Sequence, residues 1–597
     1  MTKFKLFIKS MKYSVKLMTD SSRLLVVVYL LLNLLDSTLV LFNTVALKFV
    51  LDCLAGGGTE NSLLWLWSVL YVVSIVTVPA NNAAINIAYD SLIEKAWHKY
   101  ECNLAEKLAE LPLSVIDSSE GKDMIDDVRY STNVCVFTTY HIVQVIALLY
   151  SFVASYVTLV HFNIWFALLF LILTVPGIIF NQVFDRKAEE LRRKQAPDLR
   201  KFCYYRWMLT DPWPAKDVRM YDLTEPIKAR YEEEKSAYLH ANKKLDKKKL
   251  STFLVAEIIR RSGEITFTVF VVYKAIMGDI SIGDVALYIG FALNASESFK
   301  KILSNLVMSY TRTTEIMKRV FDFFSLETKT AGGHHRSLEE FESLTFDNVY
   351  FKYPHTENYI LQGASFTLKK GDKLSIVGIN GSGKSTIIKL MLGLYEVESG
   401  SILINGYPMA EYAMEDVRKL FSALFQNFVQ YPLTLRENIA LSSPQKMQES
   451  GEIEQVLEQS GVYEDLKPKL EKGLDSFMTR QFDDKGTELS KGQWQKIALS
   501  RAYFKNAPVI IFDEPSAALD AEAEDRIFRN FEELSDGRTG VMISHRISSA
   551  RMANKIIVLD GGKVVEEGTH DELAFAGGLY AKLYNLQREK YAGTEVE

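Results

Sequence analysis

Six long apolar stretches occupy the first half of this 597-residue chain. Each is long enough to form a helix that crosses the hydrocarbon core of a bilayer, which takes about 20 residues. The core of a soluble protein does not accommodate six such stretches in succession. We therefore predict a six-helix membrane domain over residues 24–325, with spans near residues 24–50, 63–86, 137–160, 162–183, 254–277 and 285–307.

The distribution of positive charge predicts how these spans are oriented. Residues 1–23 carry five lysines and one arginine, whereas the loop 52–61 carries acids and no lysine or arginine. By the positive-inside rule the amino terminus is cytoplasmic, and six spans return the carboxyl terminus to the same side. Residues 1–23 interleave these cations with apolar side chains, so we expect a cytoplasmic amphipathic segment that lies on the inner leaflet.

Long, charged connections with a helical pattern follow the second and fourth spans. They contain about 50 and about 67 residues, whereas the loops on the outer side are short. Half of the shorter connection, about 25 residues, would reach roughly 37 Å from the membrane as a helix. We expect these connections to turn near residues 113–127 and 212–223.

The remaining composition fits a membrane protein and excludes a basic nucleic-acid-binding surface, since the net charge is -5. Four cysteines, at positions 53, 102, 135 and 203, show no paired metal spacing. Only Cys53 is expected near the outer face, so no disulfide framework is implied. We expect a multi-pass protein of the bacterial cytoplasmic membrane.

A phosphate-binding loop opens the second functional region of the chain. Residues 377–386 read VGINGSGKST, in which Gly378, Gly383, Lys384 and Ser385 fit G-x-x-x-x-G-K-[ST] between an apolar run and a helical pattern. Backbone N–H groups of such a loop and the following helix N-terminus bind phosphate oxygens. We expect Lys384 to bridge the β and γ oxygens and Ser385 to ligate magnesium. The other loop residues predicted to contact ATP are Asn380, Gly381, Ser382 and Thr386.

A pair of carboxylates ends the apolar strand pattern of residues 508–512. Asp513 and Glu514 would lie at the carboxyl edge of a parallel sheet, where nucleotides bind in α/β folds. We expect Asp513 to be the magnesium partner and Glu514 to polarise the attacking water. Together with the phosphate-binding loop, this pair predicts an ATPase that uses Mg²⁺.

These motifs and two later ones make residues 341–597 resemble the nucleotide-binding domain of an ABC transporter, an α/β P-loop domain with a helical subdomain. The sequence LSKGQ at 489–493 is similar to the family signature, with Lys491 at a position usually held by glycine. The resemblance implies that Ser490, Gly492 and Gln493 contact the γ-phosphate bound to a partner domain. Two such domains must then meet, as a homodimer or as a heterodimer with a second half-transporter.

The same resemblance assigns further residues to the ATP site. Gln426, in ALFQN, resembles the glutamine that senses magnesium and contacts the membrane domain, and His545 resembles the histidine that holds the γ-phosphate. Asp520 is similar to the end of the D-loop, and Tyr353, in FKYP, to the aromatic residue that stacks on adenine. Before the signature, Asp484 is the candidate for a glutamate that exporters usually carry in this loop.

With this ATPase half, the six spans and their long connections resemble ABC exporters of the domain-swapped type. The turns near residues 113–127 and 212–223 would then be coupling segments, and residues 326–340 a linker. The resemblance implies export driven by ATP hydrolysis through alternating access, with membrane lipid and a transported cargo as partners. It is greatest for Gram-positive exporters of bacteriocin or lantibiotic peptides, while drug or lipid export remain alternatives. An ATP-gated channel or regulator would share the same motifs.

Charged residues in the last two predicted spans suggest a cargo path. Glu264 and Glu297 are nearly equidistant from the turn between these spans, and Arg260, Arg261 and Lys300 lie about one turn further on. Ionisable residues at such depth often face a watery cavity. We expect them to line a cavity for a zwitterionic or peptide-like cargo, unless the belt is a solvated boundary at the cytoplasmic side.

Overall fold

The computed structural model describes residues 3–56, 61–129, 131–308, 310, 313–326, 336–514, 538–543 and 550–592. The chain divides into two compact units. The first contains residues Met1–Ala109 and Met124–Leu326, and the second contains Glu110–Asp123 and Glu327–Glu597. The described parts of each unit are considered separately below.

The first half of the chain is helical throughout its described residues. Its long helices are α1 (Lys3–Ala55), α2 (Asn61–Glu110), α5 (Thr132–Phe162), α6 (Ile164–Lys194), α9 (Thr224–Ile276) and α10 (Ile282–Met308). Shorter helices connect them, namely α3 (Leu113–Asp117), α4 (Ser119–Arg129), α7 (Ala196–Thr210), α8 (Ala215–Met220) and α11 (Thr314–Phe324).

The six predicted spans correspond to these six long helices. Three helical segments are long and apolar enough to cross a membrane by length and composition among the described residues, namely Phe4–Ala55, Ser62–Glu110 and Thr138–Phe162. Helices α2 and α9 contain 50 and 53 residues. At 1.5 Å per residue they extend roughly 75 to 80 Å, far beyond the thickness of a bilayer.

The amino-terminal part of α1 is set apart from the first predicted span by a kink at Ser22, whose φ and ψ are -167° and 99°. Phe7 and Leu17 are buried, and Phe7 makes an edge-to-face contact with Tyr310. Lys5, Lys9, Lys12 and Lys16 are exposed, at spacings that place them on one helical face. The predicted amphipathic segment thus has one face packed on protein and one cationic face.

The second half of the chain contains two sheets. A four-stranded antiparallel sheet has the order β2-β1-β4-β5, and a six-stranded sheet has the order β10-β9-β3-β8-β7-β6, in which only β10 is antiparallel. The strands are β1 (Ser343–Phe351), β2 (Leu361–Lys369), β3 (Lys373–Gly378), β4 (Ser399–Ile404), β5 (Tyr407–Pro408), β6 (Phe421–Leu424), β7 (Val509–Asp513), β8 (Thr539–Ile543), β9 (Lys555–Asp560) and β10 (Lys563–Gly568).

The strand sequences explain their positions in the larger sheet. All five residues of β7, VIIFD, are buried, as expected for a strand covered on both faces. In β10 no residue is fully buried, which fits its place at the edge. Because β3 and β7 run parallel on either side of β8, their carboxyl ends meet at one edge of the sheet.

Helices of this second unit are α12 (Lys384–Met391), α13 (Met414–Lys419), α14 (Leu435–Ala440), α15 (Ser450–Gln459), α16 (Tyr463–Leu466), α17 (Lys491–Lys505), α18 (His570–Phe575) and α19 (Leu579–Ala592). Helices α14 to α17 bury a hydrophobic core of their own that includes Trp494 and also reaches Phe512 of β7. This is the helical subdomain that the sequence predicts.

Both predicted turns are built from short helices. Helix α3 and the beginning of α4 group with the second unit, where Leu113 packs on the sheet core and Tyr395 donates a hydrogen bond to Asp117. Helix α8 forms the turn at residues 212–223. Beside it Trp213, Met220 and Tyr221 are largely exposed, although they are large apolar or aromatic side chains.

Candidate functional site

The loop between β3 and α12 has the geometry of a phosphate-binding loop. Gly383, at the N-cap of α12, has a φ of 103°, a conformation that residues with a side chain rarely adopt. A Cβ on Gly378 would lie 2.4 Å from the carbonyl oxygen of Leu559 on the neighbouring strand. Both positions therefore require glycine, and the loop leads directly into the N-terminus of a helix, which favours bound anions.

The ammonium of Lys384 is held inside this loop. Its Nζ donates hydrogen bonds of 2.9 Å to the carbonyl oxygens of Gly378 and Ile379, and the residue is buried. Burial lowers the pKa of Lys384, while the charges of Glu514 and Asp513 act in the opposite direction. A polyphosphate in the loop would be the natural partner for this partly desolvated cation.

Ser385 and Asp513 come together from two neighbouring elements. The hydroxyl of Ser385 donates a 3.3 Å hydrogen bond to Asp513 Oδ1 at the end of β7. Burial raises the pKa of Asp513, and the nearby charge of Glu514 adds to this effect. A hydroxyl and a buried carboxylate form an oxygen donor set that fits Mg²⁺, which prefers one or two carboxylates together with substrate phosphates.

Glu514 follows Asp513 and is hydrogen-bonded to Gln426. The distance from Gln426 Nε2 to Glu514 Oε2 is 2.6 Å. Glu514 also has a φ of 52°, in the left-handed region that is costly for a residue with a side chain. Such outliers concentrate at functional sites. With this backbone conformation, the carboxylate lies against the side chain of Gln426.

Tyr353 lies close to helix α12 and is half-buried. Its hydroxyl oxygen is 3.1 Å from Thr386 Oγ1, and its ring makes an edge-to-face contact with Tyr395. Lys389, which the sequence interpretation did not single out, places its Nζ 5.1 Å from the centre of the Tyr353 ring. Tyr353 is therefore anchored beside the helix that follows the phosphate-binding loop.

The signature residues form the N-terminus of α17. Ser490 is the N-cap, and its hydroxyl accepts a 3.2 Å hydrogen bond from the backbone N–H of Gln493. The Gln493 side chain accepts one of 3.0 Å from the backbone N–H of Ser490. This reciprocal capping box presents an exposed serine and Lys491 at a helix N-terminus, which favours anions.

The remaining predicted ATP-site residues are distributed as follows. Asn380, Gly381 and Ser382 lie in the loop itself, and Gly492 lies in the first turn of α17. Asp484 is exposed, while its neighbours Asp483 and Lys485 pair with Lys472 and Glu471 at 2.8 and 3.0 Å. His545 and Asp520 lie outside the described residues.

A half-buried arginine that the sequence interpretation missed fixes the chain after Gln426. Arg501 on α17 donates hydrogen bonds of 2.7 Å to the backbone oxygens of Asn438 and Val429 and to the Asn438 side chain. Burial lowers its pKa to about 10. The sequence feature that could have identified Arg501 is its position on the apolar face of a helix rich in buried residues. Arg501 borders a groove of about 520 Å³ lined partly by Phe425, Phe428 and Tyr431.

In the first unit, the five charged residues predicted for a cargo path form one ion-pair network. Arg260 pairs with Glu264, with Glu257 and, at 3.0 Å, with Glu297 on the next long helix. Arg261 lies 2.8 Å from Glu264, and Lys300 pairs with both Glu257 and Glu297. Arg260 and Glu264 are only 4% and 5% exposed, whereas Arg261 is 51% exposed.

Glu257 was missed as a member of this network. Its position three residues before Arg260 and four before Arg261 is the spacing at which side chains meet on one helical face. Counting Glu257, Glu264 and Glu297 against Arg260, Arg261 and Lys300, the network contains three acids and three bases. It is therefore electrically balanced.

The fold and the site together define a membrane protein with a P-loop ATP-binding domain in the same chain. The model of the family described as ABC transporter matches residues 361–517. The subtilin transport ATP-binding protein of Bacillus subtilis is 33% identical over 498 residues, 81% of this chain and 79% of that protein. The nisin transport ATP-binding protein of Lactococcus lactis subsp. lactis is 27% identical over 537 residues, 88% of each chain.

A shorter match includes the ATP-dependent lipid A-core flippase of Haemophilus ducreyi, 35% identical over 287 residues, or 48% of each chain. A solved structure of a bacterial Atm1-family ABC exporter with ATP bound shares the fold, with a TM-score of 0.78 at 23% identity over 95% of this chain and 98% of that one. This chain belongs to the ABC transporter family. It is a half-transporter of exporter type, in which ATP hydrolysis is coupled to transport, and the predicted fold class and family resemblance are confirmed.

Proposed function

We propose that this chain exports a peptide from the cytoplasm across the bacterial cytoplasmic membrane. The observation that carries the proposal is the match of 33% identity to a subtilin transport protein over most of both chains, which includes the membrane half. The nisin transport protein matches over an even larger share. Both termini would be cytoplasmic, as the positive charge of residues 1–23 favours. Residues 24–325 would form the membrane domain, 326–340 a linker and 341–597 the ATPase domain.

The ATP site would use the residues that meet at the sheet edge. Lys384 would exchange its two loop carbonyls for β- and γ-phosphate oxygens, and Tyr353 would stack on adenine. Ser385, Asp513 and Gln426 would hold Mg²⁺, which neutralises the charge developing on the phosphates. Glu514 would accept a proton from the attacking water, with Gln426 orienting its carboxylate and His545 assisting.

Each ATP-binding site would be completed by residues of a second chain. Ser490, Gly492 and Gln493 lie at the exposed N-terminus of α17 and would contact the γ-phosphate bound by the partner's loop, near the D-loop residue Asp520. Half-transporters of this family work as dimers. Because this chain carries the binding lysine, the acid Glu514 and the signature serine, we propose a homodimer with two competent sites. In a heterodimer, this chain would contribute the same residues to the ATP sites that it forms with its partner.

In the proposed cycle, binding of ATP closes the two ATPase domains and hydrolysis reopens them. The groove beside Phe425 and Phe428 lies directly after strand β6 and next to Gln426. The membrane helices would then alternate between inward-open and outward-open arrangements.

We propose that the exposed members of the ion-pair network face the cargo path. Arg261, Glu297 and Lys300 retain partial exposure, whereas Arg260 and Glu264 are almost completely buried and would position them. A balanced set of charges suits a zwitterionic group better than a strongly charged one. Glu297→Gln should weaken stimulation of ATP hydrolysis by cargo, while Glu232→Gln on the exposed part of α9 should not.

Three alternatives predict different measurements. The matches to lipid A-core flippases support a lipid cargo, but they cover only about half of this chain. A multidrug exporter would be stimulated by unrelated amphiphiles, and an ATP-gated channel would allow downhill flux of solute without accumulation. Accumulation against a gradient therefore separates a pump from a channel.

The test is reconstitution of the full chain in lipid vesicles, with its ATP-binding side outward. A Bacillus lantibiotic precursor, a lipid and an amphiphilic drug would be compared for ATP-dependent uptake, beside a Glu514→Gln control. Uptake of the peptide alone, abolished in the control, is expected. Accumulation of the lipid or drug instead, or equal uptake in both proteins, would overturn the proposal.

A further inference from the structure

Three stripes of side chains run along residues 3–21 of α1, which we call the amino-terminal helix. Side chains three and four residues apart share one face of a helix. The buried stripe consists of Phe7, Ser10, Ser14 and Leu17. The lysine stripe consists of Lys5, Lys9, Lys12 and Lys16, all exposed, and the apolar stripe consists of Phe4, Ile8, Met11 and Val15, which are exposed or partly exposed. None of these residues belongs to the ATP site or to the ion-pair network.

The buried stripe fixes which faces the amino-terminal helix exposes. The hydroxyl oxygens of Ser14 and of Thr139 on α5 are 2.6 Å apart. The ring of Phe7 makes an edge-to-face contact with Tyr310, at 5.4 Å between the ring centres. These contacts with distant parts of the first unit prevent the helix from turning about its axis. The lysine stripe and the apolar stripe therefore both face away from the protein.

The two outward stripes lie side by side. Each lysine directly follows a member of the apolar stripe in the sequence, which puts the stripes about 100° apart around the helix. Phe4 is 63% exposed and Ile8 is 39% exposed. Among the described residues, no acid pairs with Lys5, Lys12 or Lys16. Such a surface, apolar on one side and cationic on the other, is typical of a contact with a partner.

A membrane surface with anionic headgroups matches both stripes. The apolar side chains of an interfacial helix insert at the boundary of the acyl chains, while neighbouring lysines extend to the lipid phosphates. The first predicted span begins at residue 24, just after the kink at Ser22, so the amino-terminal helix joins directly to a membrane helix. An acidic soluble protein would match the lysines alone. The apolar stripe beside them favours the lipid surface.

The amino-terminal helix also contacts the helix that leads to the ATPase domain. Lys9 places its Nζ 4.1 Å from the centre of the Phe321 ring, and Tyr13 makes an edge-to-face contact with the same ring at 5.5 Å. Phe321 lies on α11 (Thr314–Phe324), the last helix before the proposed linker 326–340. Lipid that holds the amino-terminal helix would therefore act on α11 through direct side-chain contacts.

We propose that the lysine stripe binds the headgroups of anionic phospholipids and that this binding raises the rate of ATP hydrolysis through α11. The inference goes beyond the proposed peptide export, because it needs no cargo. It rests on the proposed cytoplasmic amino terminus, which places the helix on the inner leaflet. Its salt dependence follows from the exposure of the lysines, since ions screen charges at an exposed surface.

The test measures ATP hydrolysis by the full-length chain in vesicles without cargo. The vesicles contain phosphatidylcholine and phosphatidylglycerol, and the anionic lipid is varied from none to about one third of the total. The wild-type chain should hydrolyse ATP at least about threefold faster at the highest fraction, and high salt should reduce this response. Native mass spectrometry of the detergent-purified chain measures how much of each lipid remains bound.

Substitutions locate the response. The triple variant Lys5→Gln, Lys12→Gln, Lys16→Gln keeps the contact of Lys9 with Phe321. It should lose the response to phosphatidylglycerol and should retain this lipid at least about tenfold less strongly. The matched control, Lys370→Gln with Lys419→Gln and Lys563→Gln, removes three exposed lysines from the second unit and should respond like the wild type.

A second variant tests the apolar stripe. Ile8→Ser keeps all four lysines and should weaken the response, because the helix loses apolar area that inserts beside the headgroups. Size-exclusion profiles and the rate in pure phosphatidylcholine verify that each variant is folded. An undiminished response in Ile8→Ser would contradict the contact with the membrane.

A wild-type rate that is independent of phosphatidylglycerol would overturn the inference. A response of equal size in the triple variant and the wild type would also overturn it and assign the effect to another surface. Retention of anionic lipid without a change in rate would reject the action through α11. Because the assay contains no cargo, each of these results leaves the proposed peptide export intact, whereas a lipid response without peptide uptake would reject only the cargo.

Discussion

The side-chain amide of Gln426 donates a 2.6 Å hydrogen bond to the carboxylate of Glu514. These residues end neighbouring parts of the sheet, since Gln426 follows β6 and Glu514 follows β7, and the two strands pair directly. The contact fixes the orientation of the Glu514 carboxylate. An acid that is to accept a proton from water must be within hydrogen-bonding reach of that water, so we expect Gln426 to orient Glu514 for this step.

Gln426→Ala should lower kcat for ATP hydrolysis about tenfold or more, because the carboxylate loses the donor that orients it. Gln430→Ala, at an exposed glutamine on the same loop, is the control. Steady-state hydrolysis by the reconstituted chain gives kcat, and nucleotide binding verifies that ATP is still bound. Equal rates in the two variants would refute the orienting role.

Asp513→Asn should stabilise the ATP-free protein. It should also reduce the rate of ATP hydrolysis roughly a hundredfold or more. Burial raises the pKa of Asp513, so the folded state binds its proton more tightly than the unfolded state, whose pKa is about 3.9. Stability is thus lost as the pH rises from about 4 through the folded pKa, and the charge remains unfavourable at pH 7. Thermal unfolding should show a higher Tm for the variant at pH 7 and little difference near pH 4. A lower Tm at pH 7 would contradict the assignment.

Ser490 has two separable roles, as a helix cap and as a phosphate contact. Ser490→Ala should lower the free energy of unfolding by about 1 kcal/mol, because α17 loses its N-cap. Ser490→Asp retains a capping side chain and should keep the Tm, but its negative charge should reduce ATP hydrolysis at least about a hundredfold. If Ser490→Asp is as active as the wild type, the serine does not approach phosphate.

Local motifs allowed the phosphate-binding loop and the Asp513–Glu514 pair to be predicted, because each lies within one contiguous strand and turn. The capping box of Ser490 and Gln493 was present as an S-x-x-Q pattern but was interpreted only as a signature. Pairings across the fold could not be predicted in the same way. The contact of Arg501 with Asn438 joins residues 63 positions apart, and only the packing of α14 on α17 brings them together.

The membrane half shows the same limit. Helical periodicity and charge predicted the long helices and placed Arg260 near Glu264, which is four residues away. The contacts among the rings of Tyr29, Tyr89 and Tyr140 were not predicted, because these residues lie on three different helices and are separated by 60 and 51 residues in sequence. In the sequence, tyrosines of this kind resemble the aromatic residues that are common at membrane interfaces, and only the packing of the helices reveals their contacts.

Tyr353 should contribute to ATP affinity through its ring rather than its hydroxyl. Tyr353→Phe keeps the edge-to-face contact with Tyr395 and should leave KM for ATP within about twofold, whereas Tyr353→Ala should raise KM about tenfold, as expected for loss of base stacking. Tyr359→Ala, at a more exposed tyrosine, serves as the control. The same KM in Tyr353→Ala and the control would place adenine elsewhere.

Arg260 and Arg261 are adjacent, yet their loss should have very different effects on stability. Arg260 is 4% exposed and joins Glu257, Glu264 and Glu297, so Arg260→Ala leaves the buried carboxylate of Glu264 without its buried partner and should cost about 3–5 kcal/mol. Arg261 is half exposed, and Arg261→Ala should cost less than about 1 kcal/mol. Thermal unfolding of the two variants in detergent measures the contrast. Because the pair with Glu297 joins α9 to α10, Arg260→Ala should also increase hydrogen exchange in both helices, and similar exchange in the two variants would show that the network does not fasten them.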